Sequence, residues 1–223
     1  MLRSAVRLAL ACLCVTVFGS FSPYFGGVGI DRAYAQATPP VKRSELTREA
    51  ILNDPEAPVA GNPKGDVTIV AFFDYNCPYC KKSEPALQKL VKDDGHIRLV
   101  YKDWPILAAT SVYGAEVALA AKYQGKYQAV HDVLMHIPGT RVSKQTMDKA
   151  LHASGVDIAQ LNKDLAAHGD AIRALLRRNN AQAEGMGFQG TPVYLIGPYK
   201  VAAALDYDGF KKVVTQVRAK ERK

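Results

Sequence analysis

Seven consecutive residues, Val67-Thr68-Ile69-Val70-Ala71-Phe72-Phe73, are apolar, β-branched or aromatic, with one threonine among them. Such a run without polar alternation reads as a strand covered on both faces, so the chain must supply layers on each side of a sheet. Cys77-Pro78-Tyr79-Cys80 follows after three residues. From Lys81 to Lys92 the residues Ala86, Leu87, Leu90 and Val91 recur at helical spacing, with Pro85 predicting a kink. Past the Asp94-Gly95 turn, Ile97 to Tyr101 reads as a second strand. The two cysteines therefore stand at the strand-to-helix junction of a β-α-β unit.

The rest of the chain divides around this unit. Residues 106–188 carry helical periodicity, with Ser143 and Asp157 as N-caps and a longer helix through Ile172, Leu175, Leu176, Asn179 and Ala183 ending at Gly185 to Gly187. A stretch of that length is an inserted helical subdomain rather than a loop. After Gly190-Thr191-Pro192, Val193 to Ile196 is a strand, Gly197-Pro198 a turn, Tyr199 to Ala202 a return strand, and Asp206 caps a last helix. Residues 36–66, rich in turn chemistry and broken by Pro39, Pro40, Pro55, Pro58 and Pro63, read as an N-terminal arm. The expected fold is α/β. A first half with the cysteine motif (67–105) and a second half (189–223) give β-α-β … β-β-α, interrupted by an all-helical insertion (106–188).

Arg3 and Arg7 precede an uncharged apolar stretch from Leu8 to Phe18, and Ala33-Tyr34-Ala35 offers a cleavage site before Gln36. Residues 1–35 read as a signal peptide, with an uncleaved inner-membrane anchor facing the periplasm as the alternative. The expected location is the periplasm. Cys12 and Cys14 lie in the apolar stretch and leave with it. The net charge of +8 then falls to +6, with 26 basic and 20 acidic residues remaining. A solvated basic surface accounts for that without a nucleic-acid partner.

Cys77 and Cys80 are the two cysteines left after residue 35. They close a ring too small to restrict the unfolded chain much, so a structural staple is the weaker reading. A zinc site wants four ligands, no second cysteine pair exists, and His131 and His136 are five apart. The remaining reading is a redox-active disulfide, Cys77–Cys80. The thiolate is the attacking species, and a cysteine at a helix start has free backbone N–H groups beside it. Cys77 is thus expected to be an exposed nucleophile of depressed pKa and Cys80 the buried resolving thiol. Pro78 suits the first helical position and Tyr79 can tune access. No metal or cofactor is expected.

At these residues the chain resembles the DsbA family of thioredoxin-fold oxidoreductases. The resemblance is carried by Phe72-Phe73-Asp74-Tyr75-Asn76-Cys77-Pro78-Tyr79-Cys80, by Tyr101-Lys102-Asp103-Trp104-Pro105 and by Gly190-Thr191-Pro192. The segment from Asn53 to Asp66 is similar to the arm of an ScsC-like branch. The resemblance implies a thioredoxin fold, a cis Pro192 facing the cysteines, and Thr191 offering backbone groups to a bound cysteine peptide. It places an apolar groove between the thioredoxin part and the helical insert. It further implies exchange with cysteine-containing exported proteins and a membrane redox partner that resets the pair. The family often carries a buried acid six residues before its first cysteine; this chain has Ala71 there. Tyr79 and Thr191 resemble isomerase-like branches, but 31 residues of arm are too few for an oligomerising stalk. The reading is therefore a monomer that introduces disulfides. An isomerase or reductase of the same fold, or a copper-binding or chaperone module, stays open.

Overall fold

The run Val67–Phe73 is the middle strand of a five-stranded sheet. The computed structural model describes residues 41–222. The expected signal segment and Thr38-Pro39-Pro40 of the arm lie outside them. The strands are β1 (Val59–Gly61), β2 (Val67–Phe73), β3 (Ile97–Asp103), β4 (Val193–Ile196) and β5 (Tyr199–Val201). The helices are α1 (Arg48–Leu52), α2 (Pro78–Asp94), α3 (Ala109–Ala121), α4 (Tyr127–Met135), α5 (Lys144–Leu151), α6 (Ile158–Gly185) and α7 (Tyr207–Glu221). The sheet order is β1-β3-β2-β4-β5, with β2 and β3 parallel and the other pairings antiparallel.

Alternate residues of β2 feed two cores. Ile69, Ala71 and Phe73 join α2, α7 and the helical insertion on one face. Val70 and Phe72 join Ile51, Trp104, Ala183, Phe188 and Leu195 on the other. That division is why β2 shows no polar alternation: neither face meets water. α2 continues as one helix through Pro85, which lies on the exposed side where its lost hydrogen bond is least costly.

Residues 106–188 are four helices, and residues 104–108 and 136–143 are irregular. Ser143 and Asp157 cap α5 and α6, accepting the N–H of Thr146 and of Gln160. The segment expected as an arm does more than lead in. β1 adds an edge strand against β3, in the register Val59–Val100, Ala60–Leu99 and Gly61–Arg98. Pro58 fits just before it because only its carbonyl is used, accepting the Tyr101 N–H at 2.9 Å. Gly61 has φ +70°, and a Cβ there would collide with the Ile97 carbonyl. Behind this strand Asp54 is buried between Lys102 Nζ at 2.6 Å and Arg178 Nη2 at 2.9 Å, and Arg178 also reaches Glu56 at 2.6 Å.

Candidate active site

β2 ends at Phe73, and the next four residues turn the chain into α2. Asp74 governs that turn. One of its carboxylate oxygens accepts the Asn76 N–H at 2.7 Å and the Ser111 hydroxyl at 2.6 Å. The other accepts the Ile106 and Leu107 N–H groups at 2.8 and 2.9 Å. Asn76 completes the link: its Oδ1 accepts the Val142 N–H at 2.7 Å and its Nδ2 donates to Thr110 and Ser111. Buried polar groups of this kind are costly unless satisfied, so the paired set fixes one arrangement. It fastens the cysteine turn to α3 and to the loop before α5. Asp74 and Asn76 are functional residues that the cysteine motif alone does not mark; two Asx residues between a strand and a helix start are the sequence signal for them.

The Cys77 N–H donates to the Asp74 carbonyl at 3.0 Å, and Cys77 becomes the N-cap of α2 with φ −80° and ψ 114°. Pro78 follows where a missing N–H costs nothing. The Cys77 Sγ accepts the Cys80 N–H at 3.2 Å. Its thiol also lies 3.2 Å from the Thr191 carbonyl, to which it donates. The Thr191–Pro192 peptide is cis. The Thr191 hydroxyl is buried and has no partner among the described residues. The structure thus brings Cys77, Cys80, Thr191 and Pro192 into one cluster, with Tyr79 at its edge, 64% exposed.

One expectation is corrected. Cys77 is not exposed: it is 2% accessible against 1% for Cys80. The capping turn tucks its sulfur under the Thr191–Pro192 loop. What separates the two free thiols is acidity. The Cys80 thiol hydrogen bond is the largest influence lowering the Cys77 pKa. Burial opposes it, and the Thr191 side chain and the Cys80 and Tyr79 N–H groups assist, so the value falls to about 6. Burial, followed by the bond and charge of Cys77, pushes the Cys80 pKa far above that of an ordinary thiol.

A groove of about 580 Å³ opens beside the cluster. It runs between Tyr79 on α2, the Gln189–Pro192 loop and Ala202-Ala203-Ala204 after β5. The insertion contributes only its final residues, Gly187 and Phe188, so this groove lies along the β4–β5 side rather than between the two parts of the fold. In the core shared with Cys80, Ala71 is buried in register with Tyr101 and Tyr194. α2 carries a buried acid of its own. Glu84, one turn beyond Cys80, pairs with His131 Nε2 at 3.0 Å, and His131 Nδ1 meets the Tyr75 hydroxyl at 3.1 Å. Among the described residues no group of three or more His, Cys, Asp or Glu is arranged to hold a metal ion.

A parallel-cored sheet with Cys-x-x-Cys capping a helix beneath a cis-proline loop defines a thioredoxin-fold dithiol protein. The family model described as Thioredoxin matches residues 53–216. A thioredoxin-like oxidoreductase from Silicibacter pomeroyi is 39% identical with a TM-score of 0.72, covering 78% of this chain and 98% of that one. The thiol–disulfide exchange protein α-DsbA2 from Wolbachia pipientis is 26% identical with a TM-score of 0.72, covering 78% and 94%. The catalytic domain of Proteus mirabilis ScsC is 26% identical with a TM-score of 0.69, covering 79% and 96%. The chain belongs to the thioredoxin family, among its DsbA-like and ScsC-like members. Among curated relatives, Na(+)/H(+) antiporter NhaA 1 of Salinispora arenicola is 27% identical over 84% of this chain; the chain spans 30% of that protein's length. No helix among the described residues is long and apolar enough to cross a membrane.

Proposed function

We propose that the chain is an exported thiol–disulfide oxidoreductase that introduces disulfides into cysteine-containing proteins of the periplasm. The observation that carries this is the divided acidity of Cys77 and Cys80 at a helix N-cap under Thr191. In the oxidised form, a substrate thiolate attacks the Cys77 sulfur of the Cys77–Cys80 disulfide. A substrate–Cys77 bond forms, and Cys80 leaves and takes a proton. A second substrate thiolate then attacks the substrate sulfur of that bond and releases Cys77 as thiolate. The substrate loses two electrons and becomes a disulfide, and the pair is reduced. A membrane redox partner accepts those electrons and resets Cys77–Cys80.

The lowered Cys77 pKa supports the oxidising direction. A stabilised leaving thiolate stabilises the reduced pair and makes its disulfide more oxidising. A Cys77 pKa of about 6 lies between the roughly 7 of thioredoxin and the roughly 3.5 of the strongest oxidants. Thr191 and Pro192 hold the substrate segment by strand addition, and Tyr79 borders its path. Cys80→Ser should accumulate mixed disulfides through Cys77 that identify the substrates by mass. Cys77→Ser should accumulate none and lose dithiol-oxidising activity; wild-type activity in that variant would overturn the mechanism. Equal metal loading and no thiol exchange would instead favour a copper-binding module.

A further inference from the structure

The groove beside Cys77 is apolar at its floor and cationic at its rims. Ala202, Ala203 and Ala204 line it with methyl groups alone. Lys82, exposed on α2, and Lys200, exposed on β5, both line it, and no acidic residue does. Lys200 Nζ stands 5.6 Å above the Phe188 ring, donates to the Met186 carbonyl at 3.5 Å and reaches no carboxylate. Among the described residues neither lysine takes part in an ion pair, whereas Arg178 and Arg218 are each engaged by carboxylates. Two ammonium groups outside any ion pair therefore line the groove that Tyr79, Thr191 and Pro192 border. Asp74, the acid in the cysteine turn, is buried, accepts four hydrogen bonds on its own side of the turn and does not line the groove.

We propose that Lys82 and Lys200 make this groove selective for extended segments that carry Asp or Glu within a few residues of the reacting cysteine. The inference rests on the oxidoreductase reading above and names the substrate class for it. A strand lying along the Gln189–Thr191 backbone advances about 3.3 Å per residue, so side chains two or so positions from its cysteine fall over the groove. Apolar side chains at alternate positions can rest on the alanine floor, while carboxylates meet the lysines. The attraction acts on encounter and on the mixed-disulfide geometry, and it weakens with salt.

The test uses the Cys80→Ser protein and synthetic peptides whose single cysteine carries a thionitrobenzoate leaving group. The Cys77 thiolate attacks the peptide sulfur, a Cys77–peptide disulfide forms, and coloured thionitrobenzoate leaves with the electron pair. Three peptides differ only in residues beside the cysteine: Glu, Gln or Lys. At low salt the Glu peptide should react at least about fivefold faster than the Lys peptide, the scale of two exposed charge pairs. Lys82→Glu with Lys200→Glu should reverse that order, and high salt should shrink it. Lys211→Glu, on exposed α7 away from the groove, should leave the order as in the parent. Equal rates for all three peptides, or a preference indifferent to the double substitution, would overturn the groove proposal while the oxidoreductase reading stands. A wild-type protein whose disulfide is inert to dithiothreitol and to every cysteine peptide would overturn that reading and the proposal together.

Discussion

Thr191 meets Cys77 through a carbonyl 3.2 Å from the sulfur, and its own hydroxyl is buried without a partner among the described residues. As Cys77 ionises it stops donating to the carbonyl, and the hydroxyl is the group free to donate in return. Thr191→Val keeps the shape and removes that donor. The thiolate midpoint, followed by ultraviolet absorbance of the reduced protein, should lie near 6 in the parent and rise in the variant; an unchanged midpoint would remove the hydroxyl from the account. Ala71 poses the complementary question. It packs between Tyr101 and Tyr194 in a closed core, so Ala71→Glu should speed resolution by Cys80 while lowering stability by about 1–3 kcal/mol. Stopped-flow decay of a preformed mixed disulfide reads the first effect; a rate unchanged across pH would contradict it. Asp103 is a buried acid whose proton can be followed. It receives the Tyr127 hydroxyl at 2.9 Å, its second oxygen is unpartnered, and burial lifts its pKa to about 6. The folded state holds a proton there that the unfolded chain releases, so this group's contribution weakens stability as pH climbs from about 4 to about 6. Asp103→Asn should stabilise the protein at neutral pH and flatten that part of the profile in chemical denaturation.

The edge strand β1 shows how an element escapes a sequence reading. Three residues, Val59 to Gly61, sit between Pro58 and Asn62-Pro63, and local turn chemistry outweighs so short a run. Its partners on β3 are about forty residues away, and the ion cluster that secures it joins Asp54 to Lys102 and Arg178. None of these pairings leaves a periodic mark. β2 and β4, by contrast, were legible because a strand buried on both faces must be apolar throughout, and their bounds agree with the reading. The caps Ser143 and Asp157 were legible because capping is a local hydrogen bond. The Asp54 cluster makes its own prediction. Removing one member of a buried pair leaves a stranded charge, so Asp54→Ala should cost about 3–5 kcal/mol in denaturant unfolding. Burial raises the Asp54 pKa, but Arg178 and Lys102 hold it below the ordinary value. Its stabilisation is therefore present above the usual aspartate range and is lost as pH falls through the lowered pKa. A variant as stable as the parent would show that β1 is held by packing alone.

Across the molecule, the polar set at the cysteine turn joins the two parts of the chain, as do the Glu84–His131 and Asp54–Arg178 pairs. Asp74 and Asn76 tie the cysteine turn to residues 106, 107, 110, 111 and 142. The thioredoxin half thus depends on the insertion for the position of Cys77. The arrangement of the cysteines at a strand-to-helix junction was readable from order and spacing. The burial of Cys77 was not, because it results from the Thr191–Pro192 loop, which is more than a hundred residues away in sequence and touches Cys77 only after the sheet closes. The placement of the groove along β4–β5 depends on the same closure.

The central claim is that the capped, acidic Cys77 makes the pair an oxidant. Equilibrating the protein with glutathione redox buffers and reading the Cys77–Cys80 state by thiol alkylation tests it most directly. The account predicts a midpoint well above thioredoxin's, toward the roughly −120 mV of the strong bacterial oxidants. A midpoint near the roughly −270 mV of thioredoxin would contradict it and make the chain a reductase.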